Sequence, residues 1–180
     1  LLVGDDGQGL LGIDDELGVE ALDMTTLAAV PVTDPDPGIV DVEPDDRAFY
    51  MATSGVSGAP KVAILSHYNL RWVQEAMGQG LDPMQPDDIT LGCLSFAHIF
   101  GLNVVLLYGL RVGSCIVLQR RFDADESLRL IREHGVTVLA GAPPMWQRWA
   151  KADAPDDSLS TIRFAASGAA ALPLGVFETI

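Results

Sequence analysis

From residue 47 onward the apolar residues come in short runs, separated by glycine, proline and polar clusters. Runs rich in β-branched and aromatic residues predict strands at 47–53 (RAFYMAT), 62–65, 89–95, 115–119, 136–140 and 162–166. Between them the spacing lengthens. Helices are predicted at 69–80, led in by Ser66 or His67, at 97–110 as a buried helix, at 124–134, at 143–150 and after Pro173. Asp123 is placed to cap the third of these, with Glu126 three residues on completing a capping box. Pro143 and Pro144 fit the first turn of the fourth.

Strands thus alternate with helices from 89 to 180. The predicted fold class is α/β, a mainly parallel sheet with helices on both faces. Ligands of such sheets gather at the carboxyl ends of the strands, and both glycine-rich loops, 54–61 and 167–171, follow strands. Ahead of residue 47 the pattern differs. A strand end at 1–3 and a GDDG turn precede a stretch, 12–30, with room for one short helix, and then an extended linker rich in proline and acid at 31–46. The expected organisation is an acidic lead-in and linker over 1–46 and an α/β domain over 47–180. Both ends fall in sequence that reads as structured, so the expectation is a piece of a longer protein.

With 48% apolar and 20% charged residues, the chain builds a packed core rather than a disordered one. The net charge of −14 argues against general nucleic-acid binding, which needs cationic side chains at phosphates. That acidity belongs to residues 1–46, which contain no Lys or Arg; the remainder is close to neutral and is able to accept an anion locally. Cys93 and Cys115 lie in apolar runs and read as buried free thiols of a reducing compartment. No Cys/His cluster has metal-ligand spacing, so no protein-held metal is expected. No basic signal region is visible, and the longest apolar stretch, 99–110, is too short to span a bilayer. The expected location is cytoplasmic, with peripheral membrane contact left open.

The densest chemistry is Thr53-Ser54-Gly55-Val56-Ser57-Gly58-Ala59-Pro60-Lys61. Gly55 and Gly58 allow sharp turns and close approach of backbone N–H groups to an anion. Thr53, Ser54 and Ser57 offer hydroxyl donors, and Lys61 a point charge suited to phosphate. The spacing is not that of a Walker loop, because Lys61 follows Pro60 and precedes Val62; nor is a third glycine present for a dinucleotide fingerprint. On composition alone, a glycine turn closing a hairpin is an equal reading.

The wider segment DRAFYMATSGVSGAPKVAILSHYNL, residues 46–70, resembles the phosphate-loop signature of the adenylate-forming superfamily of acyl-CoA synthetases, luciferases and peptide-synthetase adenylation domains. Thr53, Ser54, Gly55, Gly58, Pro60, Lys61, Ser66, His67, Asn69 and Leu70 match it. Val56 and Ser57 replace two usual threonines, and Ala63 a usual glycine. The lost hydroxyl at Val56 removes a phosphate contact of about 1 kcal/mol. Two more segments carry the likeness. Ser95-Phe96-Ala97-His98-Ile99-Phe100-Gly101 resembles the family's histidine-bearing entry to a helix beside the acyl site, with the aromatic common in the fatty-acid branch. An isolated histidine is otherwise a core-edge residue. The segment 162–173 resembles a family stretch whose small residues border acyl group and adenine; Ser167, Gly168 and Ala169 are its centre, and Ala169 stands for a common glycine. Small side chains also suit tight strand–helix packing. Gly141-Ala142-Pro143-Pro144-Met145-Trp146 resembles the family segment before an acyl-tunnel helix; Met145, Trp146 and Trp149 are core or tunnel wall.

The resemblance covers roughly 46–173. It implies an acid–thiol ligase that uses ATP and Mg²⁺ to convert a carboxylic acid, in the fatty-acid branch, to an acyl-adenylate and then passes the acyl group to coenzyme A. Thr53, Ser54, Ser57 and Lys61 would handle phosphates, Gly55, Val56 and Gly58 would form the loop, Ser167, Gly168 and Ala169 would border the nucleotide, and His98 would lie near the carboxylate. The family's adenine, ribose, hinge and second-domain motifs are not among these 180 residues, so the chain alone is expected to be inactive. The alternatives are an aryl-acid ligase, a peptide-synthetase adenylation domain, or a non-catalytic nucleotide-binding or structural module. No G-x-S-x-G elbow supports a serine hydrolase.

Overall fold

Apolar runs of four to seven residues are long enough to cross a twisted sheet once, and most of the strands do so. The structure, a computed structural model, describes residues 2–3, 22–23, 40–53, 61–152, 155 and 157–178. The chain divides into two units, Leu1–Asp41 and Val42–Ile180. In the first, β1 (Leu2–Val3) pairs in parallel with β2 (Leu22–Asp23). The turn expected at 4–7, the helix within 12–30 and most of the linker lie outside the described residues.

In the second unit, β3 (Arg47–Thr53) and β4 (Lys61–Ser66) form an antiparallel hairpin whose register runs from Arg47↔Ser66 to Thr53↔Lys61. The chain passes directly into α1 (His67–Gly78). Ser66 and Asn69 explain the abruptness: the Asn69 N–H donates to Ser66 Oγ at 3.2 Å, and the Ser66 N–H donates to Asn69 Oδ1 at 3.0 Å. This reciprocal cap starts the helix two residues before the expected 69.

The second sheet has four parallel strands in the order β6-β5-β7-β8: β5 (Ile89–Gly92), β6 (Cys115–Leu118), β7 (Val138–Gly141) and β8 (Phe164–Ser167). Alternation along each strand sends side chains to opposite faces. Leu91 and Leu139 turn to one face, where they pack with Leu128 and Ile131 of α3 (Ala124–His134) and with Trp146 and Trp149 of α4 (Pro143–Trp149). Each fully buried Leu or Ile there contributes about 1.5–3 kcal/mol. Thr90, Val138, Ala140, Phe164 and Ala166 turn to the other face, toward α1 and the segment after β5. Helices therefore cover both faces, as the alternation implies. A short α5 (Leu174–Phe177) follows Pro173.

Three expectations need correction. The helix expected at 97–110 is a π-helix over Phe100–Leu107, continuing as α2 (Tyr108–Val112) and closed by Gly113 at φ 84°. The Tyr108 N–H reaches the Asn103 carbonyl five residues back. Asn103 is held from outside: it accepts from Gln74 Nε2 at 2.9 Å and donates to the Leu70 carbonyl at 3.3 Å. Cys115 is exposed rather than buried, because β6 is the edge strand; Cys93, in the inner strand's continuation, is buried. The capping box at α3 is half made. Asp123 accepts the Glu126 N–H at 2.9 Å, but the Glu126 carboxylate turns to Arg129. Among the described residues no helix is long and apolar enough to cross a membrane.

Candidate functional site

Strands β5, β7 and β8 end beside one another, and the chain leaving each of them bears small residues. Past β5 it forms a tight turn: the Ser95 carbonyl accepts the His98 N–H at 3.1 Å, and the His98 carbonyl accepts the Leu102 N–H at 2.9 Å. The turn delivers an exposed His98 to the mouth of the π-helix. A Cβ on Gly101 would run into the Ser95 carbonyl, so only glycine lets the helix begin this close to the turn. The Phe100 ring lies against Gly168, where an added Cβ would sit 2.9 Å from it. Gly168 in turn donates its N–H to the Gly141 carbonyl at 3.3 Å. The same carbonyl accepts Trp146 Nε1 at 3.0 Å.

The structure thus joins three of the segments singled out in the sequence at the carboxyl edge of the sheet: 95–101, 141–146 and 167–169. Ala169 adopts φ 70°, the left-handed region that favours glycine. Thr53 and Lys61 face each other as the last pair of the hairpin. Ser54, Gly55, Val56, Ser57 and Gly58 lie outside the described residues. Lys61 is exposed as the first residue of β4. Among the described residues no three His, Cys, Asp or Glu side chains are grouped to hold a metal.

On the face of the sheet toward the π-helix lies a cavity of about 380 Å³ lined by Thr90, Val104, Tyr108, Ala140, Phe164 and Ala166, and by residues 80–84 on the side of the amino edge. Its wall is mostly apolar, its polar side chains being Thr90, Tyr108 and Asp82, the last held by Arg163. Trp146 and Trp149 are on the opposite face, only 4% exposed and in edge-to-face contact at 4.9 Å. They are core; Trp146 also borders a second hollow of about 440 Å³ with Leu172 and Phe177. Met145 lines a different cleft, beside Ser95 and Phe96.

Two polar constellations escaped the sequence reading. Asp88 is buried at the amino edge of the sheet. It accepts from Arg163 Nε at 2.7 Å, Thr137 Oγ1 at 2.7 Å and the Gln85 N–H at 2.6 Å, and Arg163 also reaches Asp82 at 2.7 Å. The Arg163 hydrogen bonds hold the Asp88 carboxyl down at about 2, against the opposing effect of burial. This cluster ties the starts of β5, β7 and β8 together. The Gln74–Asn103 pair is the other. Both join residues at least 29 positions apart, for which local spacing gives no signal.

A family model described as "AMP-binding enzyme" matches residues 10–180. A relative named 4-coumarate--CoA ligase 5 from Oryza sativa subsp. japonica is 39% identical over 135 residues, 73% of this chain and 25% of that protein. Another, 4-coumarate--CoA ligase 3 from Arabidopsis thaliana, is 35% identical over 170 residues, 92% of this chain and 30% of the relative. The chain thus spans about a quarter to a third of the length of these relatives. The crystal structure of ATP-bound MatB from Rhodopseudomonas palustris superimposes with a TM-score of 0.85 at 25% identity, over 99% of this chain and 37% of that one.

Proposed function

Because the chain belongs to the AMP-binding enzyme family, we propose that the whole protein is an ATP-dependent acid–thiol ligase that makes an acyl-adenylate and then a coenzyme A thioester. The observation that carries this reading is the meeting of 95–101, 141–146 and 167–169 at the carboxyl edge of the sheet. ATP-bound MatB, of like fold, supports ATP as the nucleotide.

In the first step a carboxylate oxygen attacks the α-phosphorus, the bond to the β-phosphate oxygen breaks, and pyrophosphate leaves. Neutralising and orienting a crowded polyphosphate is most of the work. Thr53, Ser54, Ser57 and Lys61 take that role, with Gly55, Val56 and Gly58 forming the loop. Ser167, Gly168 and Ala169 border the nucleotide, and Mg²⁺ arrives on the triphosphate. His98 meets the acyl carboxylate at the mouth. No general base is needed there, since the acid is already ionised at neutral pH. In the second step the thiol sulfur attacks the acyl carbon, the bond to AMP breaks, and the thiol proton leaves to solvent.

The acid's tail is assigned to the cavity between the π-helix and the sheet, whose lining is mostly apolar. A fatty acid is the first reading. A compact aryl acid is the second, favoured by the Tyr108 hydroxyl, which has no hydrogen-bond partner among the described residues, and by the relatives named for 4-coumarate. ATP–pyrophosphate exchange by the whole protein, across fatty, aryl and amino acids, tests this. Exchange with fatty or aryl acids is expected, with Lys61→Ala slowing it on the order of a hundredfold. Exchange with amino acids alone overturns the assignment. The 180-residue chain by itself is expected to give none.

A further inference from the structure

An amide in the middle of an apolar helix needs a reason. Asn103 lies within the π-helix, is 2% exposed, and meets two groups of α1: it accepts from Gln74 Nε2 at 2.9 Å and donates to the Leu70 carbonyl at 3.3 Å. Leu70 and Gln74 are four residues apart and share one face of α1. The two bonds together therefore fit a single register between the helices, and a slip of either helix by one residue breaks both. Stability alone does not call for the pair. Two apolar side chains of similar shape would fill the space at little cost, because a buried polar pair returns most of its gain as desolvation. What an apolar pair lacks is a preferred register, and fixing register is the best-attested use of a buried amide between helices.

The register matters here because the geometry it holds is uncommon. π-turns are rare and gather at functional sites. This one is pinned at its start, where Gly101 meets the Ser95 carbonyl and Phe100 meets Gly168. It is pinned again past its end, where Gly109 packs on Ser114 and Ile116. Relaxing the wide turns to an α-helix would rotate the residues on one side of the change by about 100°, one residue's step. Val104 and Tyr108, which line the cavity, lie just beyond Asn103, and the Tyr108 N–H donates to the Asn103 carbonyl. His98 lies five residues ahead of it, its carbonyl accepting the Leu102 N–H. Asn103 thus stands between the residue at the mouth and the residues of the wall.

We propose that Gln74 and Asn103 are positioning residues for the acid substrate. Neither lines the cavity. Their amide link locks the π-register, and that register keeps His98 at the mouth while Val104 and Tyr108 face the acid's tail. The inference rests on the acid–thiol ligase reading above.

The test compares the whole protein with its Gln74→Leu/Asn103→Leu variant, and with Leu102→Met, which changes packing in the same helix and leaves the link intact. Pyrophosphate exchange is measured across fatty and aryl acids, with KM for acid and for ATP, beside thermal melts. The double variant leaves no orphaned partner, so it is expected to melt near the parent. Expected in it are a rise in acid KM, or a flattening of the preference among acids, on the order of tenfold, with the KM for ATP unchanged. Leu102→Met is expected to behave as the parent. A folded double variant with unchanged acid KM and preference reduces the pair to packing and overturns the proposal. An equal rise in KM for ATP also overturns it, since the effect is then general. Where the double variant does not fold, Gln74→Met decides: it keeps the Asn103–Leu70 bond, and a smaller loss confined to the acid is expected, while no loss overturns the proposal. Absence of exchange by the parent with every acid overturns the reaction instead. Amide hydrogen exchange over 100–108 then judges the register alone: faster exchange in the double variant keeps the lock, and unchanged exchange overturns it.

Discussion

Single residues carry much of what distinguishes this chain, and Asp88 is the clearest case. Its carboxyl is held well below its ordinary value, at about 2, chiefly by hydrogen bonds from Arg163. A depressed folded pKa contributes stability that is present above about pH 4 and lost as pH falls toward 2, up to about 2 kcal/mol here. Denaturant melts across that window should show the loss. In Arg163→Ala the slope should shrink and stability at neutral pH should fall by about 2–3 kcal/mol, since a buried carboxylate loses its partner. Ala169 is strained at φ 70°. Ala169→Gly should therefore raise stability by about 0.5–1 kcal/mol, the left-handed penalty less the added freedom of the unfolded chain. The two cysteines should separate under an alkylating reagent: exposed Cys115 modified quickly, Cys93 slowly, its thiol pushed up to about 12 by burial. Two fast thiols would contradict the burial. Ala169 shows what sequence offers at this scale. Its departure from a family glycine is visible in the sequence, whereas the backbone angle that makes it costly is not.

At the scale of elements, the parallel strands and their helices were legible because period-2 and period-3.6 spacings are local. Arg47–Thr53 emerges with the expected bounds, and the hairpin and sheet follow from the alternation. What local spacing cannot carry is a contact across 29 positions. Asn103 reads as a polar interruption in an apolar helix; only the fold reveals that Gln74 and the Leu70 carbonyl await it on α1. The same anchoring accompanies the wider π turn. Asn103→Ala should orphan Gln74, which is 8% exposed, and cost about 2–3 kcal/mol in a thermal or urea melt. A change under 0.5 kcal/mol would show that the cross-link is replaced by water. Glu126 illustrates the opposite failure. Its spacing from Asp123 fits a capping box, but Arg129 competes for the carboxylate and wins because the pair is charge-assisted.

The molecule as a whole places its small-residue loops where a parallel sheet delivers them, at the carboxyl edge, and keeps its polar staple of Asp88, Thr137 and Arg163 at the other edge. The three motif segments of that edge were legible as motifs, and the fold brings them into contact through Phe100 and Gly168. The paired arginines Arg120 and Arg121 that follow β6 were not legible as cleft residues, since adjacent charges in sequence look the same whether solvated or lining a cleft. The central claim is that a carboxylate attacks the α-phosphorus of ATP. Incubating the whole protein with ATP, coenzyme A and an acid labelled with heavy oxygen in its carboxyl group tests it directly by mass spectrometry of the products. The account predicts AMP carrying one heavy oxygen and unlabelled pyrophosphate. Heavy oxygen in inorganic phosphate, with ADP formed instead of AMP, would contradict it.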